Sequence, residues 1–465
     1  MVRFGTTHVT FGLTLGLAVA AACTRTEDPV EHYRLTASAG TAAAGKSGST
    51  GGKGSTAGSS GKPTTIAGTG GVGGADDELP LGGAAGEGAV LPEPPLNFGC
   101  ADAPISTEPF TRRALRAAAA ECAQWHYCRF EGAARVMADA LDEQLAAPGE
   151  ESLRAARAAY AQAFDLSSVL ELFQFGPYAS QSTSAGKDNY QGKGYRELVY
   201  SWPLSARCKV EEQVVVRGYA QSMNSVLVNA RGLFGLDYLL HYSGSDTACA
   251  PNSAAGSGWA MLTEEELAAG KLEYAAALGS DILAQAQNLR ADWSADQGDF
   301  TPQLVDTLGY PSEQEAMKVM AWSLLYVERD VKDWKLGVPA GHTAGAPVSV
   351  AEAAFSGRKI AAIRQNLLGF RALYQGCGPG GEGLGFDDWL TEAGHPELAR
   401  EIVDAYVEAQ AVVDASPELD EATPAEVEAL YQAVKRLTDL LKNDLFGAGS
   451  PIGLTLPPGL EGDTD

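Results

Sequence analysis

The stretch Thr423-Pro-Ala-Glu-Val-Glu-Ala-Leu-Tyr-Gln-Ala-Val-Lys-Arg-Leu-Thr-Asp-Leu-Leu-Lys-Asn-Asp-Leu-Phe446 decides the fold class. Thr423 is a helix-capping residue, and Pro424 carries the fixed φ of a first helical turn. Glu426 stands where its carboxylate reaches back to the cap N–H. Val427, Leu430, Val434, Leu437, Leu441 and Leu445 then recur every three or four residues, until Gly447 stops the run. That period belongs to an amphipathic helix whose apolar stripe needs other helices to cover it.

The same grammar recurs upstream. Thr263-Glu-Glu-Glu266 is a second capping box, followed by a stripe of Leu267, Leu278, Ile282, Leu289 and Trp293. Ser312 with Glu315 opens another helix, whose stripe is Met317, Met320, Leu324, Val327, Val331 and Trp334. Ser349 to Tyr374 predicts a further helix, and Pro396 suits the first turn of the next. Earlier, Thr111 to Leu145 is Ala-rich, with Phe130, Ala133, Met137, Ala140 and Leu141 on one face. Glu151 to Phe175 and Val210 to Tyr242 continue in helical style, and Pro177 to Gly194 reads as a polar loop. Only Gln213 to Val216 looks strand-like. The reading is all-α: about eight main helices in two packed bundles of about four. The Pro-, Gly- and Ser-containing stretch 243–257 is the natural seam. It places an N-terminal bundle at 97–250, a C-terminal bundle at 251–449 and a flexible tail at 450–465.

The chain ahead of this body reads differently. Arg3 and the uncharged stretch Phe11 to Ala22 have the form of an export signal spanning 1–22. Ala21-Ala22-Cys23 resembles a lipobox, with Ala20 where Leu is more usual, so Cys23 is the expected lipidation site. Residues 23–96 form a linker, dominated by Gly, Ser, Ala and Thr from about Thr36 to Pro95. Such a composition carries too little apolar surface to fold. As a coil of about 60 residues it would reach roughly 40–45 Å and would tether a head to a membrane. No other segment is apolar enough for a membrane span. Thr24 lacks the Asp associated with inner-membrane retention, so the expected location is the outer membrane, facing the periplasm or the surface.

A formal net charge of -25 over 465 residues argues against nucleic acid as a partner, because that partner wants a basic footprint. The charge is compatible with attraction of cations. Six cysteines lie in the body: Cys100, Cys122, Cys128, Cys208, Cys249 and Cys377. An even number fits disulfides in an oxidising compartment. Cys122 and Cys128 would sit ~9 Å apart along one helix, on different faces, so each should pair elsewhere.

Known catalytic signatures are absent: there is no GxSxG, Walker loop, HExxH or dinucleotide fingerprint. His32, His126, His241, His342 and His395 have no partner His at ligand spacing. One segment stands out, Asn229-Ala-Arg-Gly-Leu-Phe-Gly-Leu-Asp-Tyr-Leu-Leu-His241. Gly232 and Gly235 thin a helix and allow close backbone approach. Phe234 and Asp237 are three apart, on one face.

This segment resembles the Gly-x-His-x-x-Glu motif of the imelysin family, here Gly232, Phe234, Asp237 and then Tyr238 with its leucines. Other stretches are similar to family motifs in the same order: Glu171 to Pro177, Ser201-Trp-Pro-Leu204, Lys335 to Gly341, and Phe355-Ser356 with Asn366 to Phe370 and Leu373-Tyr374. The resemblance covers Cys100 to Phe446. It implies two helical bundles packed together, with the motif facing a cleft near their interface. It also implies an envelope protein, often a lipoprotein, often linked to iron supply and sometimes classed as a metallopeptidase.

Two departures matter. Phe234 stands for the family His, and phenyl offers no lone pair to a metal. Asp237 stands for the Glu and is one methylene shorter. Glu171 and Asp237 remain as candidate ligands for a divalent metal or iron, with Gly232, Phe234 and Tyr238 completing the candidate site. The expected function is non-catalytic binding of a small ligand or metal in the inter-bundle cleft, in an iron- or metal-uptake setting. The alternatives are a metal-dependent site with metallopeptidase-like activity, and a surface interaction module.

Overall fold

Thr111 Oγ1 accepts the Ala114 N–H at 2.9 Å and opens α1 (Arg112–Ala146). The structure, a computed structural model, describes residues 97–180, 191–343, 351–457 and 460. The expected signal, Cys23, the tether and the last residues of the expected tail lie outside the described residues. After α1 come α2 (Glu150–Leu170), the short α3 (Tyr195–Val199), α4 (Arg207–Val216) and α5 (Gly232–His241). Then follow α6 (Ala254–Trp259), α7 (Glu264–Trp293), α8 (Phe300–Val305) and α9 (Glu313–Trp322). A π-helix (Val327–Gly337) leads into α10 (Val338–Ala340), followed by α11 (Lys359–Tyr374), α12 (Phe386–Glu392), α13 (Pro396–Ala415) and α14 (Pro424–Asp439). A second π-helix (Leu440–Leu445) ends the series.

Among the described residues the protein is all helix and loop, with no strand. The strand-like Gln213 to Val216 is the last part of α4. Its β-branched side chains serve helix packing instead, with Val214 buried against α7 at Gly270. Tertiary packing overrides the weak local preference for strand.

The expected caps form. Thr263 and Glu266 exchange both bonds of a capping box, as do Thr423 and Glu426. Ser312 Oγ accepts from the Glu315 N–H at 3.2 Å. The six stripe residues from Val427 to Leu445 are all buried, although the stripe runs out of α14 into the second π-helix. α1 packs on α2 and α7, and α5 packs on α7 and α2. α11 lies on α2 and also on α13, while α14 packs on α13 and the first π-helix. Past Gly449 the chain stays on the body: Ile452 and Leu454 are buried, and Trp322 Nε1 donates to the Thr455 carbonyl.

Three disulfides use all six body cysteines: Cys100–Cys128, Cys122–Cys377 and Cys208–Cys249. Cys122 and Cys128 do face apart on α1 and pair elsewhere. The Cys122–Cys377 bridge closes a loop of 255 residues and ties α1 to the segment after α11.

Gly232 starts α5 at φ +71°, and a Cβ there would lie 2.5 Å from the Val199 carbonyl oxygen. Three residues on, a Cβ on Gly235 would meet Leu278 of α7 at 2.8 Å. Gly232 is required for α5 to sit this deep, whereas a side chain at Gly235 would have to displace the Leu278 methyl. Gly232→Ala should lose about 2–5 kcal/mol through backbone strain and overpacking together, read as a lowered urea midpoint with an unchanged m-value.

Candidate functional site

The five motifs singled out in the sequence supply most of one buried polar cluster. From the 232–240 segment comes Asp237, 1% exposed. Its Oδ2 accepts the Phe355 N–H at 3.1 Å and its Oδ1 accepts the Ser356 N–H at 3.0 Å. The carboxylate therefore ties α5 to the 355–356 motif. Burial raises its pKa, opposed by those backbone donors. Phe234, also 1% exposed, meets Phe355 edge to face at 6.4 Å and fills the place beside Asp237 with hydrocarbon. Tyr238 donates to Glu211 Oε1 at 3.0 Å and stacks on Tyr242. Glu211 also receives Arg207, Thr247 and the Ala248 N–H.

Glu171, from the first motif, is likewise 1% exposed and accepts from Arg196 Nε at 3.0 Å. Lys335, from the fourth motif, makes an ion pair with Glu352 at 2.8 Å and donates to Asn366 Oδ1 at 2.7 Å. Asn366, from the fifth motif, in turn donates to the Ser168 carbonyl at 2.7 Å. Tyr200, next to the Trp-Pro turn, donates to Glu352 Oε1 at 3.2 Å. Trp202 of that turn lies beneath the Lys335 ammonium at 5.6 Å. Tyr326 feels the charges of Glu171, Asp330, Arg196 and Glu352 together, and Tyr200 feels both Glu352 and Asp237. These residues form one electrostatic neighbourhood in the core.

Asp237 and Glu171 stand in different parts of it. They share no hydrogen-bond donor: Asp237 holds the 355–356 backbone, and Glu171 faces Arg196, Lys335 and Asp330. Burial raises the pKa of Glu171 and Glu352, with the neighbouring cations pulling the other way. On the Glu171 side of the cluster, four oxygens have no hydrogen-bond partner: Glu171 Oε1, Glu352 Oε2, Tyr178 Oη and Tyr326 Oη. A buried polar atom left so costs about 1–3 kcal/mol, so four in one neighbourhood are a concentration of uncompensated polarity in the core. Carboxylates and phenols are hard oxygen donors, suited to a hard cation or to a small ligand rich in N–H and O–H groups.

Arg196, Tyr200, Tyr326 and Glu352 were not singled out in the sequence. Arg196 lies in α3, a five-residue helix with no periodic signal, and Tyr200 follows it. Glu352 lies in a short turn segment before α11. Lys335 and Asp330 belong to the π-helix, where the 3.6-residue period fails and buried charges look like surface ones. The gully of about 480 Å³ between Glu401, Asp404 and Asp439 is lined by none of the candidate residues.

Two outcomes follow from these contacts. Lys335→Met leaves Glu352 buried without its cation and should cost about 3–5 kcal/mol in chemical denaturation. The Lys335→Met/Glu352→Gln double variant should recover part of that loss, a coupling that a cycle of the four proteins measures. Separately, His241 donates to the Asp237 carbonyl at 3.1 Å, and burial, with Arg157 and Arg358 nearby, lowers its pKa to about 4. The unfolded chain protonates this imidazole near 6.5, so its contribution is complete above pH 6.5 and is lost as pH falls towards 4. In that window His241→Phe should flatten the pH dependence of the unfolding free energy relative to wild type.

With this geometry in hand, comparison with known proteins identifies the relatives. A family model for imelysin matches residues 123–443. No curated protein matches the chain. The fold is similar to the crystal structure of an imelysin-like protein from Psychrobacter arcticum 273-4, with 14% identity, a TM-score of 0.53, and coverage of 76% of this chain and 99% of that one. It is also similar to a candidate iron-regulated protein A precursor from Parabacteroides distasonis ATCC 8503, with 15% identity, a TM-score of 0.53, and coverage of 72% and 95%.

Proposed function

This chain belongs to the imelysin family, and from that premise we propose that it is a non-catalytic, lipid-anchored envelope protein that holds a small ligand or metal ion in an iron- or metal-uptake setting. The observation that carries this reading is the pairing of Phe234 with Asp237. Where the family motif has an imidazole, this chain has a phenyl ring packed on Phe355, and both oxygens of the neighbouring carboxylate are engaged by backbone N–H groups. The motif here works as a joint between α5 and the 355–356 turn. Binding capacity moves to the unsatisfied oxygens of Glu171, Glu352, Tyr178 and Tyr326.

The setting has separate support. All six body cysteines are bridged, which fits an oxidising compartment. Among the described residues no helix is long and apolar enough to cross a membrane, so attachment rests on the lipid expected at Cys23. The name of the Parabacteroides protein supplies the link to iron.

The test combines elemental analysis with titration. Ferric ion added to the purified protein should give a saturable change in tyrosine and tryptophan fluorescence. Glu171→Gln/Glu352→Gln should abolish it, while Asp237→Ala leaves the metal content of the purified protein unchanged. The double reversion Phe234→His/Asp237→Glu should gain about one equivalent of divalent metal, since it restores an imidazole ligand. A stoichiometric metal in the wild type that Asp237→Ala removes would overturn the proposal in favour of a metal-dependent, peptidase-like site at Asp237 and Glu171. No response to ferric ion, with transcript levels flat across iron limitation, would remove the iron setting and favour a surface interaction module.

A further inference from the structure

A second constellation sits on α1, sharing no residue with the cluster around Glu171. Cys122 and His126 are four apart on α1, so their side chains stack on one face a turn apart. Cys377 enters from the loop after α11. The two sulfurs and an imidazole nitrogen all lie within 4.8 Å of one another. His126 is 5% exposed, lies against the rings of Trp125 and Phe173, and has no hydrogen-bond partner on either ring nitrogen. As a packing residue it is a poor choice, because both polar atoms are buried without compensation. A Phe or Leu would fill the space at no such cost. Two sulfurs and one nitrogen are instead a donor set for a thiophilic cation.

We propose that Cys122, His126 and Cys377 form a redox-gated site for a thiophilic divalent cation of the Zn²⁺ class. With the disulfide closed, the trio is a covalent clamp between α1 and the loop after α11. With it open, the same residues bind the metal. Opening takes two electrons and two protons from a dithiol: the Cys122–Cys377 S–S bond breaks, two thiols form, and the dithiol closes to its own disulfide. The cation then displaces the two thiol protons to solvent, forms two sulfur bonds, and takes the imidazole lone pair as its third ligand. A fourth position stays open for water, as in three-ligand zinc sites.

The surroundings allow the required movement. Tetrahedral donors at Zn–S ~2.3 Å and Zn–N ~2.0 Å stand roughly 3.5–3.8 Å apart, so the sulfurs must separate from bonding distance. Cys122 and His126 are held by the helix. Cys377 is flanked by Gly376 and Gly378, with Gly380, Gly381 and Gly383 just beyond, and Gly376, Gly381 and Gly383 have positive φ. Such a loop shifts by backbone rotation that other residues would resist.

The experiment uses the full chain, reduced by a dithiol under native conditions, with Zn²⁺ as the probe. Zinc affinity is measured by competition with a chelating dye. Cysteine alkylation with and without zinc is mapped by peptide mass spectrometry. The expected result is one zinc per chain, with Cys122 and Cys377 protected while Cys100, Cys128, Cys208 and Cys249 are not. His126→Ala should weaken zinc binding at least tenfold, while the oxidised variant keeps the wild-type far-UV CD spectrum. Should that variant fail to fold, His126→Gln is used, which keeps polar bulk but cannot replace an imidazole on zinc. The proposal is overturned by protection spread over the other cysteines, by equal affinity in both His126 variants and the wild type, or by a bridge that opens only when the CD signal is lost.

Discussion

Burying an ammonium group is among the most expensive things a fold can do, and the interior here is arranged around Lys335. Its Nζ reaches Glu352 and Asn366 while Trp202 lies beneath it, so the 201–204 turn, the turn before α11 and α11 itself all converge on one charge. Each partner is then tied onward: Asn366 to the Ser168 carbonyl at the end of α2, and Glu352 to Tyr200. Removing an ion from water costs several kcal/mol even after relaxation. The structure offsets that cost only while every partner stays in place. Elements far apart in sequence are thereby held to one arrangement.

The π-helix is what places these charges inside. Between Val327 and Gly337 the chain buries Glu328, Asp330, Lys332, Asp333 and Lys335. Glu328 meets both Lys332 and Lys442, and Lys442 belongs to the second π-helix. The two irregular helices are therefore stapled to each other through charge. Such segments often occur at functional sites.

In this chain the 232–240 segment acts as a structural joint. Gly232 and Gly235 let α5 approach α3 and α7 closely, and the Asp237 carboxylate holds the 355–356 turn. With Phe234 packed on Phe355, the contribution of this segment is mechanical: Asp237 anchors a turn beside the polar cluster. A carboxylate whose two oxygens are held by backbone donors in the core has less to offer a ligand than Glu171 and Glu352, each with one oxygen unmatched.

Capping boxes and stripes such as Thr423 to Leu445 made the helices legible, because caps and the 3.6-residue period are local properties of the chain. The helical class followed from them. So did the separate partners of Cys122 and Cys128, while the even cysteine count anticipated the bridging of the body cysteines. The strand-like Val214 and Val215 misled, since β-branched residues describe a packed surface as well as a strand. Tertiary structure alone decided which charges are buried. Lys335, Glu352, Arg196 and Tyr326 carry no local sign of it, because burial depends on elements hundreds of residues away. The same holds for His126: nothing in a lone histidine shows that Cys377 arrives beside it. The sequence by itself determined the helices and their polar caps, which depend on neighbours within one or two turns. The polar interior and the Cys–His–Cys trio were decided only when the helices packed, because charge pairing and ligand geometry are contacts across the whole chain.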